Sequence, residues 1–212
     1  MKIIDVAIYL ESSEFDRSYS SEFQFSTRFI FNFLRRSCSG LKLGNSLFTR
    51  LIYEGRIGNA DNAYVSNRAL VIPFTFDKET YDSLDNRQRN EYIYSIVNNC
   101  EFPIDTDYSE LKKTLSVAIQ EFKKKNELNH WIFLKKRSND LCALLDCTMD
   151  RDRFVLKLIV TRNEEIVIDQ EILETRPDEV IFAYQFKYLT MDERKVVVKN
   201  RFHKTLYEYE IA

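Results

Sequence analysis

The residues best suited to hold a divalent metal ion lie near the carboxyl end of the chain. Asp178 follows Pro177, and the pair Glu193 and Lys195 precedes the apolar run Val196–Val198. Carboxylate oxygens are ligands that hard divalent cations prefer, and such cations can cleave phosphodiester bonds. These residue types therefore predict, as one candidate, a metal-dependent nuclease on Asp178, Glu193 and Lys195.

The same residues also have ordinary structural explanations. Thr175–Glu179 is typical of a helix start, with proline at the first position and two acids behind it. Glu193 lies in the charged segment Asp192–Lys195, which is typical of a solvated loop. The spacing resembles that of PD-(D/E)xK nucleases in residue type alone. We therefore keep a metal-dependent nuclease as the alternative function and predict a protein with no catalytic residues.

The remaining residue types that support catalysis form no recognisable site. The two histidines are His130 and His203, and the sequence has neither a CxxC pair nor a GxSxG motif. The four cysteines lie at positions 38, 100, 142 and 147. Because a zinc site needs about three or four ligands close together, we predict no metal and no cofactor. Scattered cysteines with apolar neighbours predict free thiols in a reducing cytosol.

Composition and charge restrict the possible partners. The chain has 212 residues, of which 44% are hydrophobic and 30% charged, as in a soluble globular protein. Its formal net charge of -2 gives no overall field that would attract nucleic acid. No apolar run reaches the about 18 residues of a membrane-spanning helix, and MKIIDVAIYL predicts a strand rather than a leader. We therefore predict a cytoplasmic protein with no membrane or nucleic-acid partner.

The clearest predicted element is a helix over Asp107–Asn126. Leu111, Leu115 and Phe122 recur at helical spacing, and lysines fill the last turn. Before this helix the pattern mixes helix and strand, whereas after it the pattern is mostly strand. We predict an α+β fold in which residues 1–104 form a small mixed subregion with helices. In residues 105–212 a mostly antiparallel sheet packs on this central amphipathic helix, and the two subregions form one compact unit.

Residues 23–37 fit two kinds of element. Phenylalanines at alternate positions indicate a strand, whereas Phe25, Phe29 and Phe33 also form a helical stripe. Ser26 could cap a helix, which favours the helical interpretation. Strands are predicted over 2–10, 47–53, 69–76, 130–136, 140–148, 153–161, 164–174, 195–199 and 205–211, and helices over 87–100 and from 175 to near 189.

Acidic side chains cluster where hairpins are predicted. Asp146, Asp150 and Asp152 are expected at the tip of one hairpin, and further acids lie in residues 164–174 and 208–210. A solvated turn explains such a cluster, but opposite charge also steers the encounter of two proteins and fixes their register. The functional interpretation is a docking surface formed by Asp146, Asp150 and Asp152 for a partner with a basic surface.

In general character, over its whole length, the chain resembles the immunity proteins of bacterial polymorphic-toxin systems, which are small, slightly acidic α+β proteins without an active site. No motif carries the resemblance, so it assigns no residues. It implies a cytosolic protein that binds a cognate toxin and blocks the active site of that toxin. Two alternatives stay open: the nuclease described above, and an interaction module of an unrelated system.

Overall fold

The computed structural model describes residues 2–42, 48–58, 62–99, 101–102, 107–178 and 185–211. Four helices and eleven strands lie within these ranges, which confirms the predicted α+β class. The chain divides into two compact units, Met1–Glu127 and Leu128–Ala212. No helix among the described residues is long and apolar enough to cross a membrane.

The N-terminal unit is built on a mixed sheet. Its elements are β1 (Asp5–Leu10), α1 (Arg17–Cys38), β2 (Arg50–Arg56), β3 (Tyr64–Ser66), β4 (Ala69–Thr75), α2 (Lys78–Ser83), α3 (Asn86–Asn99) and α4 (Asp107–Lys124). In the order β1-β2-β4-β3, the first three strands are parallel and β3 is antiparallel to β4. Helix α1 supplies the crossover that the parallel pair β1 and β2 requires. Among the described residues β3 pairs only with Ala69–Val71 of β4. Pro73 lies beyond this pairing, at a position where β4 has no neighbouring strand on the β3 side.

The Phe-rich segment forms one helix, α1, which confirms the helical interpretation. It begins at Arg17, so Ser26 lies inside the helix and does not cap it. The ring of Phe31 packs on Tyr53 of the sheet at 5.9 Å between centroids, and the ring of Phe33 packs on Phe122 of α4 at 4.7 Å. Because α1 is buried on two sides, the phenylalanines at alternate positions are buried or, at Phe25, half-buried. This produced the strand-like pattern.

Helix α4 has the buried stripe that its sequence predicts. Leu111, Leu115 and Phe122 are all buried, and the helix packs on α1 and α3. It therefore belongs to the N-terminal unit, and the chain divides after Glu127 rather than at the predicted boundary between residues 104 and 105. The apolar partners of the stripe include phenylalanines of α1, whose helical conformation was ambiguous from sequence. The carboxylate of Glu127 joins α3 to the end of α4, because it accepts a hydrogen bond from the Tyr94 hydroxyl at 2.8 Å.

The C-terminal unit contains two antiparallel sheets. Its strands are β5 (Asn129–Ser138), β6 (Leu141–Met149), β7 (Phe154–Arg162), β8 (Glu165–Thr175), β9 (Tyr188–Met191), β10 (Lys195–Lys199) and β11 (Thr205–Glu210). The first sheet is the predicted meander, in the order β5-β6-β7-β8, and the second has the order β11-β10-β9. Strand β9 lies beside β5 and β6, and the Tyr207 hydroxyl of β11 donates a hydrogen bond to the Ile172 carbonyl of β8 at 2.7 Å. The two sheets therefore form two layers.

The helix predicted from residue 175 to near Leu189 is wrong at both of its described ends. Thr175 is the last residue of β8, and residues 176–178 are not helical. Leu189 lies in β9 and pairs with Val198 of β10, so the backbone there is extended. Residues 179–184, in the middle of the predicted helix, lie outside the described residues, as do Gly44, Cys100 and Pro103. Cys38, Cys142 and Cys147 are free thiols, which agrees with the prediction for these three.

Candidate functional site

The four-stranded sheet β5-β6-β7-β8 has one buried face and one accessible face. Residues along β6 alternate between buried and half-buried positions from Leu141 to Met149. Residues directly opposite each other on neighbouring strands point to the same side, so the register assigns each side chain to a face. We call the accessible side the outer face; its central residues are His130, Ile132, Lys135, Leu144, Asp146, Lys157, Ile159, Asp169 and Glu171.

Asp146 lies in the middle of the outer face. Its Oδ1 is 2.6 Å from Nε2 of His130, and its side chain is 13% exposed while that of His130 is 54% exposed. Lys157 lies opposite Asp146 in the register, and its Nζ is 3.1 Å from Oδ1 of Asp169. Contacts between acidic and basic side chains therefore lie on all four strands, with Asp146 beside His130 and Asp169 beside Lys157.

Apolar side chains flank this row of charges. Ile132 of β5 is 42% exposed and Ile166 of β8 is 63% exposed. Leu144 and Ile159 lie opposite each other between them and are half-buried. Each of the four strands therefore presents an aliphatic side chain on the same side of the sheet. A face with this mixture can be covered by another protein, because protein interfaces combine apolar contacts with polar pairs.

The three acids expected at a hairpin tip do not share one position. Asp146 lies inside β6, so the prediction that it is at the tip is wrong; β6 continues to Met149. Asp150 and Asp152 do lie in the turn between β6 and β7. Asp150 Oδ1 accepts the backbone N–H groups of Asp152 and Arg153, both at 2.9 Å. Asp150 therefore holds the turn together, whereas Asp152 is exposed.

Strand β8 is an edge strand of the described sheet, and its edge position was not predicted from the sequence. Its residues from Glu165 to Glu171 are exposed except for the half-buried Ile168. A strand with one buried face normally alternates apolar and polar residues, but here Ile166, Val167 and Ile168 are consecutive. Register shifts opposite Leu156/Lys157 and Val160/Thr161 mark bulges against β7. In the sequence, the run of consecutive aliphatic residues was the available signal of this irregular strand. A bulge changes the face of the sheet on which each following residue lies, and this breaks the alternation of apolar and polar residues.

Two of the three residues of the alternative nuclease site lie together. Glu193 and Lys195 line a cleft of about 760 Å³ with Asp192, Arg194, Glu208, Glu210 and Ile211. Asp178 is buried and is not among the described residues that line this cleft. Lys195 Nζ donates a hydrogen bond to Glu208 Oε1 at 3.0 Å, and this contact raises the pKa of Lys195. Asp192 Oδ1 accepts the N–H groups of Arg194 and Lys195 at 2.9 Å, which lowers the pKa of Asp192.

The described carboxylates that line this cleft are not arranged around a common point where a metal ion could bind. No group of three or more histidine, cysteine, aspartate or glutamate side chains within the described ranges is placed to hold a metal ion. Glu193 lies in the turn between β9 and β10 rather than on a strand, and Lys195 begins β10. The positions of these residues therefore give no further support to the nuclease interpretation, which depends on residue types alone.

A cleft of about 490 Å³ lies at the carboxyl ends of the parallel strands in the N-terminal unit. Ligands of α/β proteins commonly bind at this edge of a sheet. Here its carboxylates hold loops: Glu14 Oε2 accepts the N–H of Ile57 at 2.6 Å, and Asp77 Oδ1 accepts the N–H of Thr80 at 3.0 Å. The Tyr19 hydroxyl donates to Asp82 at 2.8 Å, and burial followed by this bond raises the pKa of Tyr19. These contacts explain the polar groups of the cleft as parts of the fold.

No protein-family model matches the chain, and neither does any curated protein or solved structure. The function is therefore inferred from the surfaces of the protein itself. Of these, the outer face of the C-terminal unit combines exposed aliphatic side chains with paired charges, and it is the strongest candidate for binding.

Proposed function

We propose that this protein is a non-catalytic binding protein that neutralises a cognate bacterial toxin in the cytoplasm, as the immunity proteins that it resembles do. The observation that carries the proposal is the outer face, where aliphatic side chains from four strands flank a row of paired charges. On this proposal the toxin covers the outer face and is held there in a stable complex. Neutralisation follows because the bound protein blocks the active site of the toxin.

The aliphatic side chains supply the driving force for binding. Removing an exposed isoleucine from water stabilises a complex by about 1.5–3 kcal/mol, and Ile132 and Ile166 are both exposed. Single exposed apolar residues are common on protein surfaces. Here they continue across one face through Leu144 and Ile159, so a partner can bury them together. This continuity distinguishes the outer face from scattered apolar positions.

The paired charges allow the same face to be desolvated. Burying an isolated charge is costly, whereas a pair with good geometry recovers much of that cost. Asp146 is already mostly covered and is paired with His130, and Lys157 is paired with Asp169. A partner can therefore cover these two pairs while each acid keeps its basic neighbour.

The acidic rim favours a basic partner. Asp152 at the β6–β7 turn and the acids of β8 lie around the aliphatic residues, and opposite charge accelerates association. Many toxins that act on nucleic acid present a basic cleft, so a toxin of this class suits the rim.

The direct experiment uses the product of a toxin gene beside this gene in its native genome. Co-expression should restore growth of cells that produce the toxin, and the purified proteins should form a stable complex. The double variant Ile132→Ser/Ile166→Ser should weaken the complex by about tenfold or more, because two aliphatic contacts are lost. The control, Ile4→Ser/Ile57→Ser, changes two isoleucines of the N-terminal unit that are at least as exposed as Ile132 and Ile166. Equal effects of the two double variants would refute the outer face as the binding surface.

A further inference from the structure

The free side of β8 is a second feature of the binding surface. In the described sheet β8 pairs with β7 on one side and has no strand on its other side. An edge strand presents unpaired backbone N–H and C=O groups, and natural proteins commonly protect such edges with lysine, proline or bulges. Strand β8 contains neither lysine nor proline, and between its two bulges Ile168–Glu171 pairs regularly with β7. This stretch can therefore accept another strand.

The accessible part of the edge is the amino-terminal part of the strand. At the other end the Ile172 carbonyl accepts a hydrogen bond from Tyr207, and Glu174 lies 3.5 Å from Arg153. From Glu165 to Glu171 the side chains are exposed on both sides, with Ile168 half-buried. A strand added along this segment would meet the main-chain groups of Ile168–Glu171 and, beyond the bulge at Val167, the side chains of Ile166 and Glu165. It would not displace the contacts of Ile172 and Glu174.

The side chains of this segment specify the chemistry of the occupant. Asp169 is paired with Lys157, whereas neither Glu165 nor Glu171 forms an ion pair within the part of the chain that the structure describes. Exposed Ile166 and Val167 lie beside these acids. Cross-strand pairs of opposite charge and of β-branched residues stabilise neighbouring strands. A strand in which basic and β-branched residues alternate matches both kinds of side chain.

We propose that β8 binds a basic, extended segment of the toxin as an added strand along Glu165–Glu171. This inference rests on the proposed function and names the part of the toxin that is recognised. Main-chain hydrogen bonds would supply affinity, and the alternating side chains would supply specificity, as in other cases of β-strand addition. The outer face then continues onto the added strand, so the two contacts form one surface.

The probe for a first test is a synthetic peptide in which lysine and valine alternate over the length of Glu165–Glu171. Hydrogen exchange of each amide is followed by NMR on the full chain. Exchange within this segment should slow when the peptide is added. A control peptide of the same sequence, with every peptide nitrogen methylated, keeps its charge but donates no backbone hydrogen bond, and it should have no such effect. Equal effects of the two peptides, or slowing confined to other strands, would overturn the proposal.

Variants locate the contact on the protein. Ile166→Lys/Val167→Lys places cations on the edge, and like-charge contacts should weaken peptide binding by about tenfold or more. The control, Tyr64→Lys/Val65→Lys, makes the same change on the exposed edge strand β3 and should bind as wild type does. Equal loss in both variants would contradict the assignment to β8. If amide exchange in β8 is already slow in the free protein and becomes fast on dilution, a second copy of the chain occupies the edge. That result would also contradict the assignment of the edge to a segment of the toxin.

The same variants separate this inference from the proposed function. If Ile166→Lys/Val167→Lys still neutralises the toxin with wild-type affinity, strand addition and the contact of Ile166 on the outer face are refuted, while neutralisation of the toxin stands. If the wild-type protein binds the peptide at β8 but never protects cells from the toxin, the edge site stands and the proposed function fails.

Discussion

Nε2 of His130 lies 2.6 Å from Oδ1 of Asp146, and this pair joins the edge strand β5 to β6 across the outer face. Asp146 is therefore a structural part of the sheet as well as a part of the candidate surface. Variants at this position are expected to change stability, whereas variants at the exposed Asp152 are not.

Asp146→Lys should lower the free energy of unfolding by about 1–2 kcal/mol, because it removes a hydrogen bond to a charged group and adds a cation opposite Lys157. Asp152→Lys is the matched control in the following turn and should stay within about 0.5 kcal/mol of wild type. Urea unfolding measures both. Equal stability of the two variants would contradict the structural role of Asp146. A variant that reverses the charges of Asp146, Asp150 and Asp152 together would change stability as well as docking, so it could not test docking alone.

Leu115→Ala should destabilise the N-terminal unit by about 2–5 kcal/mol, because the side chain is fully buried in the stripe of α4 and its removal leaves a cavity. Val117→Ala changes a residue of the same helix that is 50% exposed, and it should cost much less. Thermal or urea unfolding of the two variants provides the comparison. An unchanged unfolding midpoint for Leu115→Ala would show that the helix packs differently.

Burial raises the pKa of the Cys38 thiol to about 12 from an ordinary value of 9.0. Below pH 9 the thiol is protonated in both the folded and unfolded chains, so it does not make stability depend on pH. Between these pKa values the unfolded chain releases a proton that the folded chain retains, so stability falls as pH rises, by up to about 1.4 kcal/mol per pH unit.

Cys38→Ala should therefore make the loss of stability above pH 9 less steep, whereas Cys142→Ala, at a half-buried position, is the control. Urea unfolding at a series of alkaline pH values measures the slope. An identical slope in wild type and Cys38→Ala would contradict the contribution of this thiol. Cys38 should also react with thiol reagents only after denaturation, because the thiolate is the reactive form.

The cleft that contains Glu193 and Lys195 is expected not to cleave nucleic acid. Lys195 is bonded to Glu208, and Asp178 does not line the cleft among the described residues. Incubation with DNA and RNA in the presence of Mg²⁺ or Mn²⁺ is the assay. Cleavage that is lost in Glu193→Ala would establish the nuclease alternative and refute the non-catalytic proposal.

Periodicity predicted the elements whose packing is simple. The stripe of α4 and strand β6 each have one buried side, so their patterns match a single period. The pattern of α1 was ambiguous because both Phe31 and Phe33 are buried, one towards the sheet and one towards α4. The end of the predicted helix at Leu189 was wrong because pairing between β9 and β10 decides the conformation there.

The candidate surface was only partly predictable for a similar reason. The acids of residues 146–152 and 164–174 were recognised as clusters, but strand register decides which of them share a face. Asp146 belongs to the outer face because β6 continues to Met149, and Ile166 becomes accessible because β8 is at the edge of the sheet. Neither the length of a strand nor its place in a sheet can be obtained from the charge pattern alone.

The central claim is that the outer face and edge of the C-terminal sheet bind the toxin. Hydrogen exchange measured by mass spectrometry, on the free protein and on its complex with the product of the neighbouring toxin gene, tests it most directly. We expect amide exchange in the complex to be slower across β6 to β8, with the largest change at Glu165–Glu171. Slower exchange confined to Met1–Glu127, with β8 unchanged, would contradict it.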